Sequence, residues 1–365
     1  MVNSLSHFGV GFLIAAVLGF KGWERICLGL LAVLPDLDFI PNFLFFAIED
    51  MFSYEVRTQL FYIMVHREFF HSLLFILIVT VILWLWKKNN KFTIAGFFVL
   101  LSHFFLDYAT SWKMRPMYPF VEEASTLGSI DFFDPIVTII SLIPVAILLL
   151  DYRFGRLKEI NYRSKLNRLT LTFKANEKQI YQVLFIVLLV WCAITPFTKL
   201  LLVSDVAAQE NTELVYQDTY PIAFGKFLTA YSYNESHYKV MEISYWSGIE
   251  QSVHVPKIAN KGTSSSSDAM MSYVKASYDL YSTTPGQQID FPVFSVYKEN
   301  DSIEVTIRDA RSEFVLFWTY FVVEYKFVFD SGNPGCNYTA YYTDQQGETR
   351  EVPNNWFLEN DKCLE

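Results

Sequence analysis

Residues Phe92–Tyr108 read FTIAGFFVLLSHFFLDY. The run carries no formal charge before Asp107, and at 1.5 Å per helical residue it approaches the hydrocarbon thickness of a bilayer, about 30 Å. It ends on His103 and Asp107, four apart and so on one helical face. Working outward, five more apolar runs follow the same logic: Leu5–Phe20, Ile26–Phe46, Phe69–Trp86, Phe132–Leu150 and Ile180–Val203. The pattern predicts a polytopic α-helical membrane domain of about six helices over residues 1–203. The first run is short at 16 residues. No Lys or Arg precedes it, so it reads as a retained membrane segment and not as a cleaved signal peptide.

The 365-residue chain is 52% hydrophobic and only 18% charged, with a net charge of −9. Those values exclude a disordered chain and argue against a nucleic-acid partner. Residues 1–203 hold 18 Lys and Arg against 15 Asp and Glu, whereas residues 204–365 hold 11 against 23. The second part also changes pattern, to short alternating stretches rich in Tyr, Val, Ile, Phe and Thr. Tyr238–Trp246, Gln251–Val255, Phe294–Tyr297 and Ile303–Ile307 read as strands, the last two joined by a hairpin loop at Lys298–Ser302. Phe314–Phe329 reads as a strand pair, Gly262–Ser267 as a Ser-rich loop, and Cys336 with Cys363 as a pair able to form a disulfide. Residues 204–365 are therefore expected to form a mainly β extracytoplasmic domain.

Orientation follows from the basic residues of short loops. Lys21 and Arg25, Lys87, Lys88 and Lys91, and the run from Arg153 to Lys178 fall on alternate connections, while the opposite connections carry only Arg57, Arg67, Lys113 and Arg115. The expected product is a multi-pass inner or plasma membrane protein with both the N-terminus and the β domain outside the cytoplasm. Trp23, Trp84, Trp86 and Trp112 fall at the expected interfaces, as aromatic anchors do.

Under that topology the ionisable residues gather on one side. His7, Asp36, Asp38, His66, His71, His103, Asp107, Asp131 and Asp134 all fall in the extracytoplasmic half, and they include four of the six histidines. Ionisable groups at membrane depth cost at least ~2.5–3.5 kcal/mol each, so a cluster of them calls for partners or a function. The mixture of His and Asp suits zinc, with manganese or iron as alternatives, and has capacity for a second ion. Asp36 and Asp38 would lie about 200° apart on a regular helix, and face one site only if Pro35 and Pro41 break it. His66 and His71, about 140° apart on a helix, imply that His66 sits in a turn or supports a ligand from behind. Blander readings stand beside each: His7 as an interfacial polar group, His66 as loop surface, Asp131 and Asp134 as helix caps.

These residues lie in a series of short motifs: Ser6-His7-Phe8-Gly9, Leu34-Pro35-Asp36-Leu37-Asp38, His66-Arg67 followed by His71-Ser72, Ser102-His103-Phe104-Phe105-Leu106-Asp107, and Arg115-Pro116-Met117-Tyr118-Pro119. In order and spacing the series resembles the YdjM family of prokaryotic membrane-bound, metal-dependent hydrolases. The resemblance covers residues 1 to about 150, and Phe291–Phe294 and Val305–Arg311 look like the C-terminal extension of some members. It implies a metal and catalytic set of His7, Asp36, Asp38, His66, His71, His103 and Asp107, supported by Arg67 and Ser72. Where the family usually has Gly after the His-Arg pair, this chain has Glu68, which either adds a ligand or base or alters the turn.

Together these readings lead to a membrane-embedded hydrolase acting on an amphiphilic, lipid-like ester, amide or phosphoester at the outer leaflet. Glu68 or an unliganded Asp is expected as general base, with Arg67 or Arg115 on an anionic headgroup. Membrane lipids are the expected partners; the sequence does not fix the oligomeric state. Two alternatives remain: a non-catalytic protein that binds or transports a divalent metal, and a membrane anchor for a β-domain binding module.

Overall fold

The computed structural model describes residues 4–110, 112–156, 176–260, 267–299, 301–314, 321–330 and 337–358. In chain order its helices are α1 (Ser4–Val17), α2 (Gly22–Leu31), α3 (Phe39–Ile48), α4 (Tyr54–Met64), α5 (Leu73–Lys87), α6 (Asn90–Ala109), α7 (Pro135–Arg156), α8 (Glu177–Glu210) and α9 (Ser267–Ser282). The chain divides into two compact units, Met1–Phe39 with His66–Leu200, and Ile40–Val65 with Leu201–Glu365.

The first unit is built around α1, which packs against α2, α6 and α7. A helix apolar nearly all round is a buried one, and Val10, Phe12, Leu13, Ile14, Ala15 and Ala16 are all buried, with Leu5 left half exposed. Small residues set how closely its neighbours approach. A Cβ on Gly9 would fall 2.0 Å from the Ser141 carbonyl oxygen of α7, and one on Gly11 2.5 Å from Ala32 Cβ. The outward faces are apolar too: Ile78 and Ile82 of α5, Ile94 and Phe98 of α6, and Ile186 and Val190 of α8 are between 40% and 57% exposed. Apolar faces of this extent are what a bilayer solvates.

Six full spans are not what these helices provide. Among the described residues, α6 and α8 alone are long and apolar enough to cross a membrane; the number rises to four if Gly22–Leu31 with Pro35–Met51, and Tyr54–His71 with Leu73–Lys87, each act as one bent span. The reason is local. A 3₁₀ turn at Pro35–Asp38 interrupts the second apolar run. The third begins in a 3₁₀ turn at Phe69–His71, and Ser72 caps α5, which leaves a helix of 15 residues. At about 22 Å, that helix is shorter than the hydrocarbon core. The runs at Leu5–Phe20 and Phe132–Leu150 appear as the shorter apolar helices Ser4–Val17 and Pro135–Leu149. Most of the basic run from Arg153 to Lys178 lies outside the described residues.

The second unit is mainly β. Strands β1 (Tyr220–Ala223), β2 (Lys226–Ser232), β3 (His237–Ser244) and β4 (Gly248–Pro256) form an antiparallel sheet. Strands β5 (Ile258–Asn260), β6 (Pro292–Glu299), β7 (Ser302–Asp309), β8 (Glu324–Asp330), β9 (Tyr338–Thr343) and β10 (Thr349–Val352) form a second, in the order β10-β9-β8-β7-β6-β5. Only β5 and β6 pair in parallel. Period-two alternation is plain in β7 and β8, which bury Ile303, Val305 and Ile307, and Tyr325, Phe327 and Phe329. The expected β6–β7 hairpin is present, with Glu299 opposite Ser302.

Over Phe314–Phe329, expected as a strand pair, the described residues hold strand β8, and the rest of the pair falls on residues 315–320, outside the described set. One expectation needs correction. Helix α9, absent from the strand reading, packs Met270, Tyr273, Val274 and Tyr281 into the core of the larger sheet. Those positions follow the 3.6-residue period, a signal masked by their β-favouring side chains. The Ser-rich loop, apart from Ser267, and Cys336 and Cys363 lie outside the described residues.

Segment 40–65 belongs to this second unit, although it lies between two residues of the helical one, Asp38 and His66. Its anchor is Glu49, 0% exposed, which accepts from Arg57 at 2.8 and 3.0 Å and from Arg350 at 2.8 Å. Both guanidiniums lie over the Trp356 ring, at 4.0 and 4.7 Å, and the indole N–H of Trp356 donates to Asp50.

Candidate metal centre

Each side chain of the helical unit's polar cluster is placed by a local feature of its own segment. His7 comes from the buried face of α1, and His103 and Asp107 from one face of α6. Asp36 and Asp38 come from the 3₁₀ turn at Pro35–Asp38, where both are buried while Leu37 between them is 53% exposed. At three residues per turn the two carboxylates diverge by only about 120°, which lets both face inward. The break demanded by Pro35 is thus made as a 3₁₀ turn. His71 ends a second 3₁₀ turn. His66 lies in the turn before it, followed by Arg67 at φ 72°, a left-handed conformation that costs a non-glycine residue of order 1–3 kcal/mol.

The parts converge closely. His71 Nε2 lies 3.1 Å from His103 Nε2, 3.2 Å from Asp107 Oδ2 and 3.8 Å from Asp36 Oδ1. His103 Nε2 lies 3.7 Å from the same Asp36 oxygen and 3.6 Å from the same Asp107 oxygen. Four ligand atoms around a tetrahedral ion with bonds of about 2.0–2.1 Å stand roughly 3.3–3.4 Å apart. These five edges bracket that value. His7 stacks on His103 at 3.8 Å and brings Nε2 to 3.2 Å from the other Asp107 oxygen, Oδ1. By proximity alone, His7, Asp36, His103 and Asp107 form one possible metal group and Asp36, His66 and His71 another, with donor atoms within 4.8 Å of one another in each.

The histidine tautomers are set from outside the cluster. His103 Nδ1 lies 2.7 Å from the Ala32 carbonyl oxygen, which can only accept, so Nδ1 carries the hydrogen and Nε2 presents a lone pair inward. Beside His71, Asp38 Oδ2 stands 3.1 Å from Nδ1, near enough to steer the ring by charge but not at a hydrogen-bonding angle. Asp38 is fixed in turn by His66 Nδ1 at 2.7 Å and by the Arg67 backbone N–H at 3.2 Å. His66 stacks on Phe39 at 4.4 Å.

The remaining candidates take supporting places. Arg67 donates to the Trp112 carbonyl and to Thr110 Oγ1, and its Nη2 lies 3.2 Å from Asp107 Oδ1. Arg115 pairs with Glu68 and donates to the Glu122 carbonyl. Both guanidiniums are therefore engaged within the protein. Ser72 accepts from the Phe75 N–H as the N-cap of α5, and Asp134 accepts from the Ile136 and Val137 N–H groups at the start of α7. For Asp134 the helix-cap reading is the one realised. The sequence reading missed Ser4, which donates to Asp36 Oδ2 at 2.6 Å, and Thr110. Each stands three residues from a named candidate, His7 or Asp107, one helical turn away, and that spacing was the available signal.

What marks this cluster is its incomplete hydrogen bonding. His7 Nδ1 and Nε2, Asp36 Oδ1, His71 Nδ1 and both Asp107 oxygens are buried without a hydrogen bond of acceptable angle. Buried carboxylates left this way cost several kcal/mol unless something else neutralises them. A divalent cation is a fitting counter-ion: the donors are imidazole and carboxylate, the set preferred by zinc and other borderline ions. The family described as YdjM inner membrane protein matches residues 1–200. No curated protein and no solved structure matches the chain.

Proposed function

The chain belongs to the YdjM inner membrane protein family, and from that premise we propose that its helical unit is a membrane-embedded, metal-dependent hydrolase of lipid-like esters, amides or phosphoesters. The observation that carries this reading is the close approach of His71, His103, Asp36 and Asp107, with donor atoms 3.1–3.8 Å apart over five of their contacts and buried carboxylate oxygens left without hydrogen bonds. Those four, with His7 beside them, would hold the ion; zinc fits the donors best, and manganese or iron could replace it. A divalent ion bound there supplies an acidic water and polarises the scissile bond.

The protein's own groups do the rest. Asp38, steadied by His66, keeps the His71 ring turned toward the centre, and the Ala32 carbonyl does the same for His103. Arg67 offsets the charge of Asp107 and fixes its position. Glu68 is assigned as general base, because Arg115 holds Oε1 while Oε2 is buried without a hydrogen-bond partner and is open to a proton. The positive-inside pattern supports a site at the outer leaflet, which a lipid substrate would enter from the side. Ionisable groups gathered at one depth also favour hydrolysis over conduction, which needs them distributed across the membrane.

Metal analysis of the detergent-purified chain beside a His103→Ala/Asp107→Ala double variant tests the proposal. The expected result is a stoichiometric divalent ion lost in a variant that still elutes as a folded species, and metal-dependent release of product from a lipid panel by the wild type. Equal and negligible metal in both would overturn it. Bound metal with no turnover, but with ion flux in proteoliposomes, would move the assignment to transport.

A further inference from the structure

The part of α8 that belongs to the helical unit turns one stripe inward. Tyr181, Leu188, Cys192, Thr195 and Lys199 are buried, while Ile194, Phe197 and Leu200 beside them are 46%, 60% and 50% exposed. Spacings of three, four and seven residues keep these buried positions on one helical face. From Leu188 to Cys192 the stripe is apolar; at Thr195 and Lys199 it turns polar. Lys199 is 0% exposed and lies inside the apolar run Ile180–Val203. An ammonium at membrane depth costs at least ~2.5–3.5 kcal/mol, and such a residue marks a function by default.

The polar end of the stripe meets segment 126–130. Lys199 Nζ donates to the Leu127 carbonyl at 2.8 Å, and Thr195 Oγ1 lies 3.5 Å from Ser129 Oγ. That segment closes the end of α6, the helix that carries His103 and Asp107. The last turn of a helix leaves its carbonyls without intrahelical partners, and here they are taken up from outside. The Leu127 N–H donates to Tyr108 at 2.8 Å, and the Ser129 and Ile130 N–H groups donate to Ala109 at 2.8 and 2.9 Å. The Thr126 hydroxyl stands 2.9 Å from the Tyr108 carbonyl oxygen and 2.5 Å from that of Thr110. Thr110 in turn donates to the Asp107 carbonyl through both its N–H and its hydroxyl, and receives Arg67 Nη2.

One residue, Leu127, thus joins Lys199 to the position after Asp107: its carbonyl accepts from the lysine and its N–H holds Tyr108. Asp107 depends on such a link. Its two oxygens are buried without a hydrogen bond, so its place beside His7, His71 and His103 is set by the charge of Arg67 and by the backbone that carries it. Groups of a functional site must be held to within about 0.5 Å.

We propose that Lys199 is a positioning residue for the metal centre: through Leu127 it fixes the last turn of α6, and with it the direction in which Asp107 presents its carboxylate. The inference rests on the metal-centre reading above and adds to it a residue outside the motifs. A neighbouring contact on the same helix separates this role from simple packing of α8. Trp191 Nε1 donates to Asp134 Oδ2 at 3.2 Å, which ties α8 to the start of α7 and not to α6.

The test adds cobalt(II) to the full chain, purified metal-free in detergent. The visible absorption of the bound ion reports its ligands and their geometry. Lys199→Met is expected to elute as a folded species, to bind cobalt about tenfold more weakly, as loss of a group behind a metal ligand does, and to shift the visible band. Trp191→Phe is expected to match the wild type in both. A wild-type band and affinity in Lys199→Met would overturn the proposal. Equal changes in the two variants would also overturn it, and would assign Lys199 to packing of α8. Thr126→Val covers the case in which Lys199→Met does not fold: it unties the same end of α6 without altering a charge and is expected to shift the band as well, and an unchanged band would overturn the proposal. A wild type that binds no cobalt would instead overturn the metal-centre reading itself, and this inference would fall with it.

Discussion

Arg311 and Asp107 are both charged and both 0% exposed, yet their surroundings are opposite in kind. Arg311, in the β unit, forms a two-pronged pair with Asp309 at 2.9 Å on each prong, reaches Asp290 at 2.7 Å, and donates to the Asp218 carbonyl. Its plane covers the Phe321 ring at 4.2 Å. Asp309 also accepts backbone N–H groups from Asp290, Phe291 and Arg311. Asp107 is surrounded by the Arg67 guanidinium and the imidazoles of His7, His71 and His103, but neither oxygen has a hydrogen bond. A satisfied buried network holds a fold together, while one with inward lone pairs retains the capacity to bind something. The contrast separates a buried network satisfied within the protein from one that is not.

The largest expected effect tests the satisfied side. Arg311→Ala leaves Asp309 buried without its counter-charge, a class of change that costs about 3–5 kcal/mol. Limited proteolysis and thermal unfolding should show loss of the β unit. A variant that melts with the wild type would mean that Arg311 contributes packing alone.

Asp36→Asn tests the unsatisfied side, and the expected sign reverses. Ser4 can still donate to the amide oxygen, while the carboxylate charge beside His71 and His103 is gone. Metal-free protein should unfold at the same temperature as wild type or higher, because a costly buried charge has been removed. Metal affinity should fall on the order of 100-fold, at least the upper end of what loss of an outer partner produces. Destabilisation of the metal-free form with unchanged metal affinity would place Asp36 with Arg311, as structure.

The same contrast explains what the sequence could reveal. His103 and Asp107 were legible because i, i+4 spacing on an uninterrupted apolar helix leaves no freedom in where they point. Asp36, Asp38 and His66 were legible as residues but not as geometry, since a 3₁₀ turn and a left-handed Arg67 depend on what the neighbouring segments accept. The number of spans was overcounted because hydropathy averages across the breaks at Pro35 and Ser72. Membership of segment 40–65 in the β unit had no local signal: Glu49 meets Arg350 across some three hundred residues. Helix α9 was hidden by Tyr and Val side chains that favour strands, although its period was helical.

Ser72 provides the smallest and most discriminating test. The family resemblance implies a supporting role for it beside the proposed metal set, one residue after His71, whereas its hydroxyl donates to the Phe69 carbonyl and accepts from the Phe75 N–H as a helix cap. Loss of such a cap costs about 1 kcal/mol. Ser72→Ala is therefore expected to lower stability by about that amount, with metal stoichiometry and affinity unchanged, and Ser72→Thr should restore most of the loss because threonine can cap in the same way. Metal affinity that falls in Ser72→Ala and returns in Ser72→Thr would join the cap to the cluster. His71 would then be held in place by its own helix start as well as by Asp38, and the boundary between the satisfied and unsatisfied networks would shift by one residue.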